Sequence, residues 1–168
     1  MLGALLFGDG SAASLVTAEP NGIALENFRA VAIPDSLGLI TWSIGDSGFK
    51  MTLSGEVPSR LARALRHELQ RNDDQAFLRG HDREDIAFWA VHPGGRTILD
   101  AVEKGLDLEP HALRWSRGVL QDYGNMSSAT LLFVLERMMH SAPPESNGVA
   151  MAFGPGIVAE TFRFRFVS

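Results

Sequence analysis

The stretch Ile86-Ala87-Phe88-Trp89-Ala90-Val91-His92-Pro93-Gly94-Gly95 decides the fold class. Its first six residues are apolar with no polar alternation, which suits a strand buried on both faces. The run stops at a histidine. Gly94-Gly95 then opens a helix through Ile98, Ala101 and Val102, with Leu106 near its end. A buried strand, a glycine-rich turn and a helix make an α/β arrangement, and ligand sites in open α/β sheets gather at the carboxyl ends of strands. His92 stands at such an end. The helix start beside it offers free backbone N–H groups to an anionic group or a developing oxyanion. The same residues also suit a plain role, with His92 capping the strand and the glycines making a turn.

Upstream, residues 28–33 and 37–44 have β-type composition, separated by the turn chemistry of Pro34-Asp35-Ser36. An apolar run ends earlier at Leu15-Val16, before the turn-like Glu19-Pro20-Asn21-Gly22. Phe49, Met51 and Leu53 alternate with Lys50, Thr52 and Ser54, the period of a half-buried strand. After Gly55 the period changes. Pro58 fits a first helical turn, and Val57, Leu61, Ala64, Leu65 and Leu69 share one helical face. Residues 72–85 are polar and predict a loop with a short helix.

Downstream, Leu113, Trp115, Val119 and Leu120 predict a helix ended by Tyr123-Gly124, and residues 127–139 predict another. Residues 149–153 and 157–167 predict a closing hairpin. In its second strand Phe162, Phe164 and Phe166 alternate with Arg163 and Arg165, which predicts one buried face and one solvent face. With no internal repeat and no linker, the reading is one α/β unit over residues 1–168, a mixed β-sheet covered by helices.

Composition narrows the function classes. At roughly 100–200 residues per domain, 168 residues suggest one domain or one half of a duplicated fold. A net charge of −5 with scattered basic residues gives no nucleic-acid or polybasic membrane surface. No segment approaches the roughly 18 apolar residues of a membrane-spanning helix. The apolar start at Met1-Leu2-Gly3-Ala4-Leu5-Leu6-Phe7 lacks a basic flank and breaks at Gly8-Asp9-Gly10, so a signal peptide is not expected and the default compartment is the cytoplasm. With no cysteine, this sequence supplies neither disulfides nor a thiolate nucleophile.

Two further constellations lie at junctions between apolar elements. In Asp122-Tyr123-Gly124-Asn125-Met126-Ser127-Ser128-Ala129, Gly124 suits a left-handed position, and Asn125 suits a helix cap. Alternatively the Asn125 carboxamide points into the same pocket as His92, and two neutral donors converging on one oxygen make an oxyanion hole. Phe153-Gly154-Pro155-Gly156 either joins two strands or forms a rigid wall beside a site. Gly8-Asp9-Gly10-Ser11 reads mostly as turn chemistry. His67, His81, His111 and His140 read as solvated, and no histidine pair has metal-ligand spacing, so no metal is expected.

Taken together, these segments resemble the C-terminal half of a type III polyketide synthase, the chalcone and stilbene synthase family of the thiolase superfamily. The resemblance is carried by Leu6-Phe7-Gly8-Asp9-Gly10-Ser11-Ala12-Ala13, Trp89-Ala90-Val91-His92-Pro93-Gly94-Gly95, Leu120-Gln121-Asp122-Tyr123-Gly124-Asn125-Met126-Ser127-Ser128-Ala129 and Phe153-Gly154-Pro155-Gly156, in family order and at family spacing. It implies a thiolase-like half, one half of the duplicated αβαβα fold. It also implies a cysteine, histidine and asparagine site that condenses an acyl-CoA starter with malonyl-CoA by decarboxylative Claisen condensation. The CoA thioesters are substrates, and no cofactor is implied.

Carried over by position, His92 and Asn125 are the catalytic pair. Gly94, Gly95 and Thr97 would lie near the pantetheine arm of CoA. Ser127, Gly154, Pro155 and Gly156 would line the cavity, and Met51 would stand at the position of a bulky aromatic gatekeeper. Arg96-Thr97 replace the usual proline and alanine, and Ala152 replaces a glycine, which points to a bacterial-type enzyme. The cysteine, the cationic residues that grip CoA phosphates and most of the dimer interface belong to the family's N-terminal half.

The expected partners are therefore a cysteine-bearing half, acyl-CoA and malonyl-CoA, with homo-oligomerisation of an exposed apolar face and no nucleic acid or membrane. Alone, the chain is not expected to condense anything. The competing readings are a noncatalytic acyl- or CoA-binding domain, a structural remnant of the thiolase fold, or half of a ketoacyl synthase III-like enzyme.

Overall fold

The computed structural model describes residues 6–46, 48–71, 73 and 75–167. Residues 1–5 of the apolar start, and Asn72 and Asp74 of the predicted polar loop, lie outside the described residues. The elements run β1 (Gly22–Ala32), β2 (Ile40–Gly45), β3 (Gly48–Leu53), α1 (Val57–Leu69), β4 (Phe88–Val91), α2 (Arg96–Gly105), α3 (Arg114–Tyr123), α4 (Ala129–Met139), β5 (Asn147–Gly154) and β6 (Val158–Val167). Short 3-10 turns occur at Arg83–Asp85 and Pro155–Ile157.

Four strands form one mixed sheet in the order β1-β6-β5-β4, with β4 and β5 parallel and the other pairs antiparallel. β4 carries the fold as its composition predicts. Trp89 and Val91 point into one cluster with Leu61 and Leu65 of α1 and Ile98, Leu99 and Val102 of α2. Phe88 and Ala90 point into the opposite cluster, with Val119 of α3 and Val134, Leu135 and Met138 of α4. Because both faces are covered, every β4 residue is buried, and a polar side chain on either face would lose water without a partner. The predicted helices all form, and α1 keeps Pro58 in its first turn, where a missing N–H is tolerated.

Three expectations are changed by tertiary contacts. Phe164 and Phe166 of β6 are buried as the alternation predicts, but Arg163 on the other face is not solvated. Its side chain is 13% exposed, because the guanidinium donates to the carbonyls of Leu78 and Arg79, each at 3.1 Å, under the loop that carries Phe77 and Leu78. β3 is not half-buried. Phe49 and Leu53 are exposed with Ile44 of β2, because β2 and β3 pair only with each other, in a separate two-stranded sheet, and their shared apolar face is not packed into the core beyond Ile40. Leu15 and Val16 are exposed and lie outside every strand. No described helix is long and apolar enough to cross a membrane.

Gly148 of β5 shows how closely the second cluster is packed. A Cβ there would stand 2.2 Å from Cζ of Phe164, whose ring is 2% exposed and has no room to retreat. Gly148→Ala is expected to destabilise the chain by about 1–3 kcal/mol through overpacking. Urea unfolding measures this, and adding Phe164→Leu should recover part of the loss.

Candidate active site

Parallel pairing of β4 and β5 brings their carboxyl ends to one edge of the sheet. β6 begins and β1 ends there as well, since they run antiparallel. The β2–β3 hairpin, which follows β1, therefore stands over this edge, with Ile40 inside the α1–α2 core cluster. Between hairpin and sheet edge lies an open cavity of about 400 Å³. It is lined by His92, Gly94, Asn125, Ser127, Met51, Gly154 and Pro155, all anticipated from the sequence. Gly95 and Gly156 are buried behind the lining, and Thr97 is exposed on the first turn of α2, outside the cavity.

His92 is fixed by backbone pairing one residue past β4, its N–H donating to the Met151 carbonyl at 2.8 Å. Its imidazole is largely enclosed, and burial pushes its pKa below the usual 6.5. The neutral ring, a donor at one nitrogen and an acceptor at the other, is the favoured form at neutral pH. A thiolate set against the ring would reverse that preference, since an opposite charge favours the imidazolium.

Asn125 is not a helix cap; that position of α4 falls to Ser128. The Asn125 side chain is 7% exposed and oriented by its neighbours. The Ser127 N–H donates to Asn125 Oδ1 at 2.9 Å, which turns Nδ2 toward the cavity, where it reaches the Gly94 carbonyl at 3.4 Å. At that length one amide proton is weakly engaged, so the group can be offered to another acceptor. The loop is strained, with Ser127 at φ 57°, and Thr130 braces it by accepting from the Met126 N–H and donating to the Ser127 carbonyl.

Gly94 and Gly95 hold no conformation that only glycine can adopt. A Cβ at Gly94 would touch nothing closer than 3.7 Å, and one at Gly95 would also make ordinary contacts. Nothing among the described residues therefore requires glycine here. What Gly94 leaves, on the cavity wall, is an uncovered backbone that a ligand could approach closely.

Sequence reasoning missed several participants. Trp42 and Glu160 both line the cavity. Trp42 stands across the hairpin from Met51 and packs edge-on against Phe49, with ring centroids 6.1 Å apart. Period-two alternation gave Trp42 no special standing. The string Gly8-Asp9-Gly10, read as turn chemistry, is instead a strap across the asparagine loop. The Asn125 N–H donates to the Leu6 carbonyl at 2.8 Å and the Gly8 N–H to the Asn125 carbonyl at 3.0 Å. A Cβ on Gly8 would stand 2.0 Å from the Tyr123 carbonyl oxygen, so only glycine lets the strap lie this close. Among the described residues, no cluster of three His, Asp or Glu could hold a metal ion.

Residues 24–168 match the family described as chalcone and stilbene synthases, C-terminal domain. Among solved structures, the chain is similar to PKS-I from the brown alga Ectocarpus siliculosus, with 31% identity and a TM-score of 0.77 over 90% of this chain and 41% of that one. It is also similar to 1,3,6,8-tetrahydroxynaphthalene synthase from Streptomyces coelicolor A3(2), a bacterial type III polyketide synthase, with 32% identity and a TM-score of 0.77 over 88% of this chain and 42% of that one. The chain thus spans about two fifths of the length of both enzymes.

Two outcomes test this geometry. His92 has a folded-state pKa below its unfolded value, so the unfolded chain binds more protons in the window between them. Stability is full above about pH 6.5 and falls as pH drops through the depressed folded value. Wild type should lose more stability than His92→Asn between pH 7.5 and 5, read from urea midpoints. Gly8→Ala should release the strap and speed amide exchange at Asn125 by roughly tenfold or more, while β4 amides keep their protection.

Proposed function

The chain belongs to the chalcone and stilbene synthase family, matching its C-terminal domain, and from that premise we propose that it carries the histidine and asparagine of a type III polyketide synthase site. The observation that supports this reading is the convergence of His92 and Asn125 on one open cavity, each with a donor free to act. The cysteine would come from residues outside this sequence, which contains none.

In that site the cysteine thiolate attacks the acyl-CoA carbonyl and CoA leaves as its thiolate, forming an acyl-enzyme thioester. The His92 imidazolium stabilises the attacking thiolate before this step. Malonyl-CoA then loses carbon dioxide, and the electron pair of the broken bond becomes an enolate. Its oxygen accepts hydrogen bonds from a His92 ring N–H and Asn125 Nδ2, two fixed donors that need no reorganisation as charge develops. The enolate carbon attacks the cysteine thioester, the carbon–carbon bond forms, and the cysteine leaves as thiolate. Gly94 leaves room for the pantetheine arm, with Gly95 behind it, while Gly154, Pro155, Met51 and Trp42 bound the space for the growing chain.

The apolar side chains left in water, among them Leu15, Val16, Leu37, Ile44 and Phe49, supply the surface that a cysteine-bearing half or a second copy would cover. The experiment mixes this chain with a separately produced cysteine-bearing half and supplies an acyl-CoA and malonyl-CoA. Polyketide should form only in the mixture, and His92→Ala and Asn125→Ala should each lower turnover by about 10²–10³-fold. Wild-type turnover in both variants would remove them from the site. Binding of CoA thioesters without turnover in the mixture would favour a noncatalytic acyl-CoA-binding domain. In sedimentation at micromolar concentration the chain alone should self-associate, and a clean monomer would argue against that.

A further inference from the structure

The cavity wall at Gly154 and Pro155 continues into a turn that does not hold itself. Gly156 has φ 69° and Ile157 has φ 45°. Isoleucine is a poor occupant of the left-handed region, where its branched Cβ crowds the backbone, so the conformation persists only if outside contacts impose it. Those contacts come from the segment between β1 and β2. Ser36 is fully buried, and its hydroxyl lies 2.6 Å from the Gly156 carbonyl and 2.5 Å from that of Ile33. One hydroxyl proton serves these two acceptors in turn. The Ile33 N–H donates to the Ile157 carbonyl at 3.1 Å, and a Cβ on Gly156 would meet Leu37 at 3.4 Å. A serine hydroxyl enclosed in this way is fastened to the backbone of the wall rather than to the hairpin that follows it.

We propose that Ser36 is a positioning residue that pins the Gly154–Ile157 turn and thereby sets the depth of the cavity available to the growing acyl chain. This rests on the polyketide synthase reading. Ser36 touches neither His92 nor Asn125, so its removal alters which products fit and leaves the decarboxylation step in place. The turn relaxes when the hydroxyl is lost, because the strained Ile157 then keeps only one backbone bond to the segment that imposed it.

The test has two arms. In the chain itself, amide exchange at Ile33 reports the pinning directly. Ser36→Ala should speed it by about tenfold, while the amides linking β4 and β5 keep their protection. Ser36→Cys, which keeps the shape with a weaker donor, should fall between the two and serves if Ser36→Ala does not fold. Unchanged protection at Ile33 overturns the pinning. In the chain complemented by a cysteine-bearing half, Ser36→Ala should at least double the share of products that differ in length from the wild-type main product. Decarboxylation of malonyl-CoA should stay within twofold. Val134→Ala, a core truncation in the opposite cluster, should alter rate without altering product lengths. A wild-type product spectrum in Ser36→Ala overturns the proposal, whereas absence of any polyketide from the wild-type mixture refutes the synthase reading and leaves the exchange arm to decide the pinning.

Discussion

The placement of His92 in the site depends on one backbone hydrogen bond, from the His92 N–H to the Met151 carbonyl. It extends the parallel pairing of β4 and β5 one residue past the strand, so the imidazole emerges at a fixed height beside Ala152, Phe153 and Gly154. Parallel pairing is sustained only where both faces of the sheet are covered. The cover is supplied by α1 and α2 on one side and by α3 and α4 on the other. The two clusters are therefore more than stabilising mass. Without either one, the strand that delivers His92 would have no reason to lie where it does.

A second constraint governs the other donor. Asn125 sits in a loop between α3 and α4 whose backbone is strained at Ser127, and such loops do not hold their shape unaided. The strain is countered from three directions: by Thr130 from within α4, by the strap at Leu6 and Gly8, and by the Ser127 N–H on the carboxamide oxygen. With the oxygen occupied, the amide nitrogen is left facing the cavity. Orientation here is a consequence of hydrogen-bond bookkeeping in a buried site, where an unpaired carbonyl oxygen is costly. The cavity wall follows the same logic, with a strained turn at Gly156 and Ile157 and a bracing segment brought in from far along the chain.

The outer surface is different in character. The β2–β3 hairpin and residues around Leu15 and Val16 leave large apolar side chains in water. The chain also spans about two fifths of the two enzymes it is similar to. The interior is finished, with both clusters closed, while the face over the cavity remains open. That division fits the proposed site, in which two members would be held by this domain and the third supplied across its open face.

Much of the fold was legible because burial writes itself into composition. The unbroken apolar run at residues 86–91 suited a strand covered twice, which forms at Phe88–Val91, and the spacing of Val57, Leu61, Leu65 and Leu69 suited a helical face. His92 and Asn125 were legible as candidates through their junction positions and their motif strings. Contacts between distant segments were not legible. Gly8 looked like a turn residue because nothing local reveals the Tyr123 carbonyl that forbids a Cβ there. Arg163 looked solvated because the carbonyls that receive it belong to a loop some 85 residues away. Asn125 looked like a cap because sequence cannot tell which of several polar residues before a helix takes that position. The sequence by itself determined which elements form and which side chains can do chemistry, since both follow from local period and residue type. Only the tertiary structure decided which of those side chains meet and which way their donors point, because backbone partners contributed from far along the chain fix those orientations.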